Sequence, residues 1–157
     1  MNKKLFTTCV LIIIAVVVFA FLPKPNNNFI SVVSNLNGEK GIQFVEPNLA
    51  KALLQAKKQK KLVFIDAYTT WCGPCRMLKQ NTFTDKAVGE FFNKNFINIA
   101  LDMENGDGIA FGEKYQIAAY PTLLIINADQ TSTSVTEGYM EPAQLLEFGK
   151  AVLAQKR

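Results

Sequence analysis

The sequence predicts an α/β protein with a mixed central sheet covered by helices on both faces. Three observations carry that reading. Strand-like and helix-like apolar patterns alternate along residues 41–157. Leu62-Val63-Phe64-Ile65-Asp66-Ala67-Tyr68 is a continuous apolar run with one acid in it, and such runs belong to central strands covered on both faces. The chain closes on a helical pattern from Pro142 to Ala154, with Leu145, Leu146, Phe148, Val152 and Leu153 apolar.

In chain order, Phe29-Ile30-Ser31-Val32-Val33 offers an edge strand, and Gly41-Ile42-Gln43-Phe44-Val45 alternates as a short one. Pro47-Asn48 opens a helix with Leu49, Ala52, Leu53 and Ala56 on one face. Lys57, Lys58, Lys60 and Lys61 follow its end, where cations suit the helix dipole. After the central strand come a helix from about Gly73 to Gln80 and a second one capped by Thr84, with Val88, Phe91 and Phe92 apolar. Phe91, Phe92 and Phe96 read as core. Phe96 to Leu101 is a strand, Ile109 to Tyr115 a short helix and Thr122 to Ile126 a strand. Ala128-Asp129-Gln130 turns the chain into an exposed antiparallel partner from Ser132 to Glu137.

The N-terminal segment has a different character. Met1-Asn2-Lys3-Lys4 is basic, and Leu5 to Leu22 carry no charge before Pro23-Lys24-Pro25. An 18-residue helix is about 27 Å long, close to the ~30 Å hydrocarbon core of a bilayer. Val18-Phe19-Ala20 suits cleavage after Ala20, whereas the length of the run favours an uncleaved anchor. Residues 1–22 are therefore expected to be a signal anchor or signal peptide, 23–40 a tether, and 41–157 the folded domain. The expected location is the inner membrane facing outward, or periplasmic and secreted if the segment is cleaved. Cys9 lies inside the apolar run and reads as filler.

Composition narrows the chemistry. The chain of 157 residues has no His, which removes Ser-His and Cys-His catalysis and imidazole metal sites. Net charge is +4, and Lys3 and Lys4 account for half of that surplus. No nucleic-acid partner is expected from the remainder. Hydrophobic residues at 49% and charged residues at 19% argue against disorder. Asp102, Glu104, Gly106 and Glu113 approach calcium-loop spacing, but Asp107 stands where the loop needs Gly.

The reactive candidate is Trp71-Cys72-Gly73-Pro74-Cys75. It follows a strand and opens a helix. Cys72 then sits at the helix N-terminus, where unpaired amides and the dipole favour a thiolate. Cys75 lies one turn further in, as the resolving thiol, and Pro74 fits the first turn without losing a hydrogen bond. A permanent disulfide is the bland alternative, yet so small a ring constrains little chain. One CxxC gives only two metal ligands, so no closed zinc site is expected.

These residues resemble the thioredoxin-like family, for which CxxC beside a βαβ pattern is a mark. Trp-Cys-Gly-Pro-Cys is the active-site sequence of thioredoxins. Ala119-Tyr120-Pro121-Thr122-Leu123-Leu124 is similar to the family's cis-proline segment, and Gly138 to its glycine near the site. Asn81-Thr82-Phe83-Thr84-Asp85 with Val88 resembles an exported bacterial subgroup, which includes the C-terminal periplasmic domain of transmembrane disulfide reductases. The resemblance covers about Gly41 to Val152.

The resemblance implies a thioredoxin fold and thiol-disulfide oxidoreductase activity. Cys72, Cys75 and Asp66 would be catalytic. Trp71, Gly73, Pro74, Tyr120, Pro121 and Gly138 would meet the substrate. Asp66, six residues before Cys72, matches the family's buried acid and would accept the Cys75 proton. The lysine that pairs with this acid in many thioredoxins is replaced here by Asn98. Gly-Pro between the cysteines suits a reductant. No organic cofactor or metal is expected. The expected partners are disulfide-containing proteins, a membrane-embedded electron donor, and the membrane itself through residues 5–22. A redox-regulated chaperone or a Cu(I) carrier is the alternative use of the two thiols.

Overall fold

The computed structural model describes residues 41–155. Five strands form one mixed sheet in the order β1-β3-β2-β4-β5. The strands are β1 (Phe44–Val45), β2 (Leu62–Tyr68), β3 (Phe96–Asp102), β4 (Thr122–Ile126) and β5 (Thr133–Glu137). Strand β3 runs parallel to β1 and β2, while β4 is antiparallel to β2 and β5. Helices α1 (Leu49–Gln59), α2 (Gly73–Met77), α3 (Lys86–Asn95), α4 (Asp107–Tyr115) and α5 (Pro142–Gln155) connect and cover them. A π-helical turn, Leu78–Thr82, continues α2 directly. This is a thioredoxin fold: a mixed central sheet flanked by helices.

Strand alternation sorts β2 between two cores. Val63, Ile65 and Ala67 face one cluster, with Ala52 and Ala56 of α1 and Phe111 of α4. Leu62 and Phe64 face the other, with Leu78 of the π turn, Val88 and Phe92 of α3 and Leu145 of α5. Phe92 and Phe96 are fully buried there, with ring centroids 5.0 Å apart, as their reading as core requires. Central position thus explains why β2 is apolar throughout, and why an acid within it is buried.

Local chemistry explains where the boundaries differ from expectation. The first strand is shorter than Gly41–Val45. Ile42 N donates to Phe83 O at 2.7 Å and Gln43 N to Asn93 Oδ1 at 2.8 Å, so both amides leave the ladder. The cap of α3 is Asp85, whose Oδ1 accepts from Val88 N at 2.9 Å. Thr84 instead donates its hydroxyl back to Gln80 O at 2.7 Å, ending the preceding turn. Helix α1 starts at Asn48, whose Oδ1 accepts from Lys51 N at 2.9 Å.

The expectation of a membrane-crossing helix is corrected, and with it the membrane-embedded electron donor and the membrane partner. Among the described residues no helix is long and apolar enough to cross a bilayer. The longest, α5, has 14 residues; at 1.5 Å per residue it reaches about 21 Å, short of the ~30 Å hydrocarbon core. Residues 5–22, where that expectation fell, and the suggested strand Phe29–Val33 lie outside the described residues.

Gly108 at the start of α4 packs against the end of β3. A Cβ there would drive into the Asp102 carbonyl, which is backbone and cannot swing aside. Gly108→Ala is expected to destabilise the fold by roughly 1–3 kcal/mol, lowering the melting temperature by about 2–4 °C per kcal/mol. An unchanged thermal midpoint would show that the β3–α4 loop yields freely.

Candidate active site

The site forms where β2 ends. After Tyr68 the chain turns through Thr69, Thr70 and Trp71, and Cys72 N donates to Thr69 O at 3.3 Å. Cys72 has extended backbone angles and caps α2, while Pro74 occupies the first turn, where its missing N–H costs nothing. The Cys72 Sγ accepts from Cys75 N at 3.1 Å. The two cysteines are joined as a disulfide, with Cα atoms 5.3 Å apart. Both are nearly buried, at 3% and 2% exposure. Gly73 is half-buried and Pro74 exposed, so one rim of the disulfide is open at its helix end.

Trp71 stands beside this rim, 63% exposed. Its Nε1 donates to Glu104 Oε1 at 2.9 Å, and its ring meets that of Tyr120 edge-on at 5.9 Å. The Trp71–Tyr120 contact brings the cysteine loop and the β4 approach together. The Tyr120–Pro121 peptide is cis. Pro121 O accepts from Gly138 N at 2.8 Å, and Gly138 has φ +86°, a conformation that disfavours a side chain. Trp71 thus meets Tyr120, and the buried Pro121 that follows Tyr120 is tied to Gly138.

Asp66 lies inside the sheet, on the strand that leads into the cysteine loop. It shares one face of β2 with Phe64 and Tyr68, the face on which Phe64 meets Leu78 of the π turn and residues of α3 and α5. It is fully buried, and neither carboxyl oxygen has a hydrogen-bond partner among the described residues. Burial pushes its pKa up to about 7, opposed by the Lys79 charge. A carboxyl that titrates near neutrality can take and return a proton there. Thr69 Oγ1 is also buried without a partner among the described residues.

Asn98 does not stand beside Asp66. The β3 residue paired with Asp66 is Ala100, and Asn98 pairs with Phe64 and Phe44. Its Nδ2 donates to Gln43 O at 3.2 Å and Asn93 Oδ1 at 3.0 Å, which ties it to the β1 edge.

Two residues at the site were missed by sequence reasoning. Lys79 carries its Nζ 3.3 Å from the centroid of the Tyr68 ring. Its i, i+4 spacing from Cys75 was the available signal. Glu104, which holds Trp71, comes from the β3–α4 loop, and no local pattern announces that contact. The Asp102 carboxylate is used within the same loop, accepting from Glu104 N at 3.1 Å and Asn105 Nδ2 at 2.8 Å.

Comparison with known proteins agrees with this geometry. Residues 44–128 match the family described as Thioredoxin-like. The thiol:disulfide interchange protein DsbD of Pseudoalteromonas atlantica is 30% identical over 104 residues, which is 64% of this chain and 18% of the relative. The chain therefore spans less than a fifth of that relative's length. The solution structure of a candidate disulphide-isomerase from Bacteroides thetaiotaomicron shares 39% identity, with a TM-score of 0.65 over 73% of this chain and 94% of that one. The oxidised DsbD C-terminal domain of Neisseria meningitidis, at 20% identity and a TM-score of 0.56, covers 65% of this chain and 90% of its own and shares the fold. A disulfide-forming Cys72–Cys75 pair in such a fold supports dithiol-based redox chemistry. With more than half of its length matched and the cysteine pair at the start of α2, the chain belongs to the thioredoxin-like family.

Proposed function

We propose that this protein is a thiol-disulfide oxidoreductase that reduces disulfides of protein substrates through Cys72 and Cys75. The carrying observation is the Cys72 sulfur at the helix cap, accepting the Cys75 amide and paired with the Cys75 sulfur. Relation to the DsbD proteins supports the activity and a periplasmic or secreted location. The basic start and apolar run of residues 1–22 suit export.

In the reducing direction the Cys72 thiolate attacks one sulfur of a substrate disulfide. That S–S bond breaks, a mixed disulfide forms, and the departing sulfur leaves as a thiolate that takes a proton from water. Cys75 then gives its proton to Asp66, and its sulfur attacks the Cys72 sulfur. The mixed disulfide breaks, the second substrate sulfur is released and protonated, and the Cys72–Cys75 disulfide remains. The substrate gains two electrons and two protons: both electrons come from the dithiol, one proton comes from water and one from Cys75 by way of Asp66, and the proton that Cys72 released on ionising balances the one taken from water. Trp71 covers the exposed rim, and Gly73 and Pro74 leave the Cys72 side open. The backbone of Tyr120 beside Pro121 pairs with the extended substrate chain, and Gly138 keeps that approach free of a side chain.

The test uses protein reduced with dithiothreitol, freed of reductant and mixed with an equimolar disulfide protein. Substrate thiols are expected to appear in step with oxidation of Cys72 and Cys75. A reduced protein that exchanges with no disulfide, yet binds Cu(I) tightly, would overturn the reading in favour of a metal carrier.

A further inference from the structure

The Lys79 ammonium rests on the Tyr68 ring although the side chain is exposed, and a free lysine at that place would extend into water. Tyr68 is two residues beyond Asp66, so both side chains leave β2 on the same face. The ring thus holds a positive charge on the side of the sheet where a carboxyl is buried without a hydrogen bond. The π-helical turn that carries Lys79 is closed by Phe83 N donating to Leu78 O at 2.8 Å, and its Thr82 hydroxyl donates to Met140 O at 2.6 Å. Both contacts fix the backbone from which Lys79 reaches the ring. Single π turns inside helices often mark functional sites.

Among the described residues, the other groups around Asp66 supply no competing cation. Beside it stand Ala100 on β3 and Leu123 on β4, both uncharged. Asn98 is neutral and turned to the β1 edge. Asp102 pairs with Tyr68 and has its oxygens occupied in its own loop. Arg76 of α2 is exposed and directs its guanidinium to Thr70 O at 3.5 Å. Cys72 and Cys75 are joined and uncharged in this state.

We infer that Lys79, pinned on the Tyr68 ring, is a positioning residue whose charge sets the pH at which Asp66 accepts the Cys75 proton. The inference rests on the proposed role of Asp66. The direction follows from charge: a nearby cation favours the carboxylate, and burial favours the acid. Removing the ammonium leaves burial unopposed. Asp66 then stays protonated to higher pH, and transfer from Cys75 slows near neutrality and recovers as pH rises. Because Lys79 is exposed, added salt should weaken the effect in the same direction.

The experiment follows the Asp66 carboxyl by carbon-13 NMR titration in the oxidised protein, with Lys79→Met and Lys79→Arg beside the parent. Resolution of a preformed mixed disulfide is timed over the same pH range. Lys79→Met is expected to raise the Asp66 midpoint by roughly half a pH unit or more, and Lys79→Arg to hold it near the parent value. The resolution profile should move with the midpoint. A midpoint that Lys79→Met leaves in place overturns the inference, whatever the rates do. A midpoint that moves while the resolution profile stays fixed supports the Lys79–Asp66 coupling and overturns instead the assignment of Asp66 as the proton acceptor.

Discussion

Cys72→Ser is expected to lower disulfide exchange by about a thousandfold or more, a barrier rise of roughly 4 kcal/mol. A serine hydroxyl forms no disulfide and is scarcely ionised near neutrality, so the first bond to substrate cannot form. Cys75→Ser should behave differently. Its Cys72 still meets the helix N-terminus, so the first transfer proceeds and the mixed disulfide then accumulates. The asymmetry follows from position: Cys72 caps α2, and Cys75 lies inside the first turn. Stopped-flow exchange with the reduced variants measures both effects. Equal loss of the first transfer in the two variants would contradict the assignment of attacking and resolving thiols.

Asp66→Asn is expected to stabilise the protein above neutral pH while slowing the second thiol transfer. The carboxyl titrates at 3.8 when unperturbed and at about 7 in the fold, because burial disfavours its charge. The folded state therefore binds this proton more tightly than the unfolded chain. Below about pH 4 the acid is protonated in both states. As pH rises from about 4 to about 7, the unfolded chain ionises first and stability is lost. At about 1.4 kcal/mol per pH unit, the loss is on the order of 4 kcal/mol, taken as an upper bound. Asparagine carries no such penalty. Near pH 8 the variant should melt higher by roughly 10 °C, and the difference should vanish near pH 4. Release of the mixed disulfide should slow by about tenfold or more, a barrier change of about 1.4 kcal/mol. Matching melting curves at both pH values would mean that Asp66 is not buried as an ionisable acid. An unchanged release rate would remove it from the reaction.

A buried acid that weakens the fold is hard to explain as packing. Valine or leucine would fill the same place in β2 without the desolvation cost. The acid sits on the strand leading into the cysteine loop, on the sheet face packed by Leu78 of the π turn that follows Cys75. Stability lost at Asp66 and proton transfer gained there are two consequences of the same burial.

Much of this was legible because it is local. The apolar run Leu62–Tyr68 announced a central strand, and the same run argued that Asp66 is buried. The bounds of Thr122–Ile126 followed from the apolar residues between Pro121 and the Ala128-Asp129-Gln130 turn. The Cys-Gly-Pro-Cys spacing carried its helix-start geometry with it, down to proline in the first turn. What was not legible depends on residues far apart in sequence. The loss of Ile42 and Gln43 from the first strand needs Phe83 and Asn93 as acceptors. The Trp71–Glu104 hydrogen bond needs the loop after β3 to return to the site. Lys79 reaches Tyr68 from a π turn, which no apolar spacing forecasts. Asn98 was aligned by analogy with the acid after β3, whereas strand register sets Ala100 beside Asp66.

The most direct test of the central claim is to trap the first covalent intermediate and locate its bond. Reduced Cys75→Ser protein is mixed with a disulfide-containing protein, quenched with acid and alkylating agent, digested and read by mass spectrometry. One mixed disulfide is expected, at Cys72, formed at the parent's first-transfer rate and absent from Cys72→Ser. A protein that forms no mixed disulfide, or forms it as readily through Cys75 when Cys72 is serine, would contradict it.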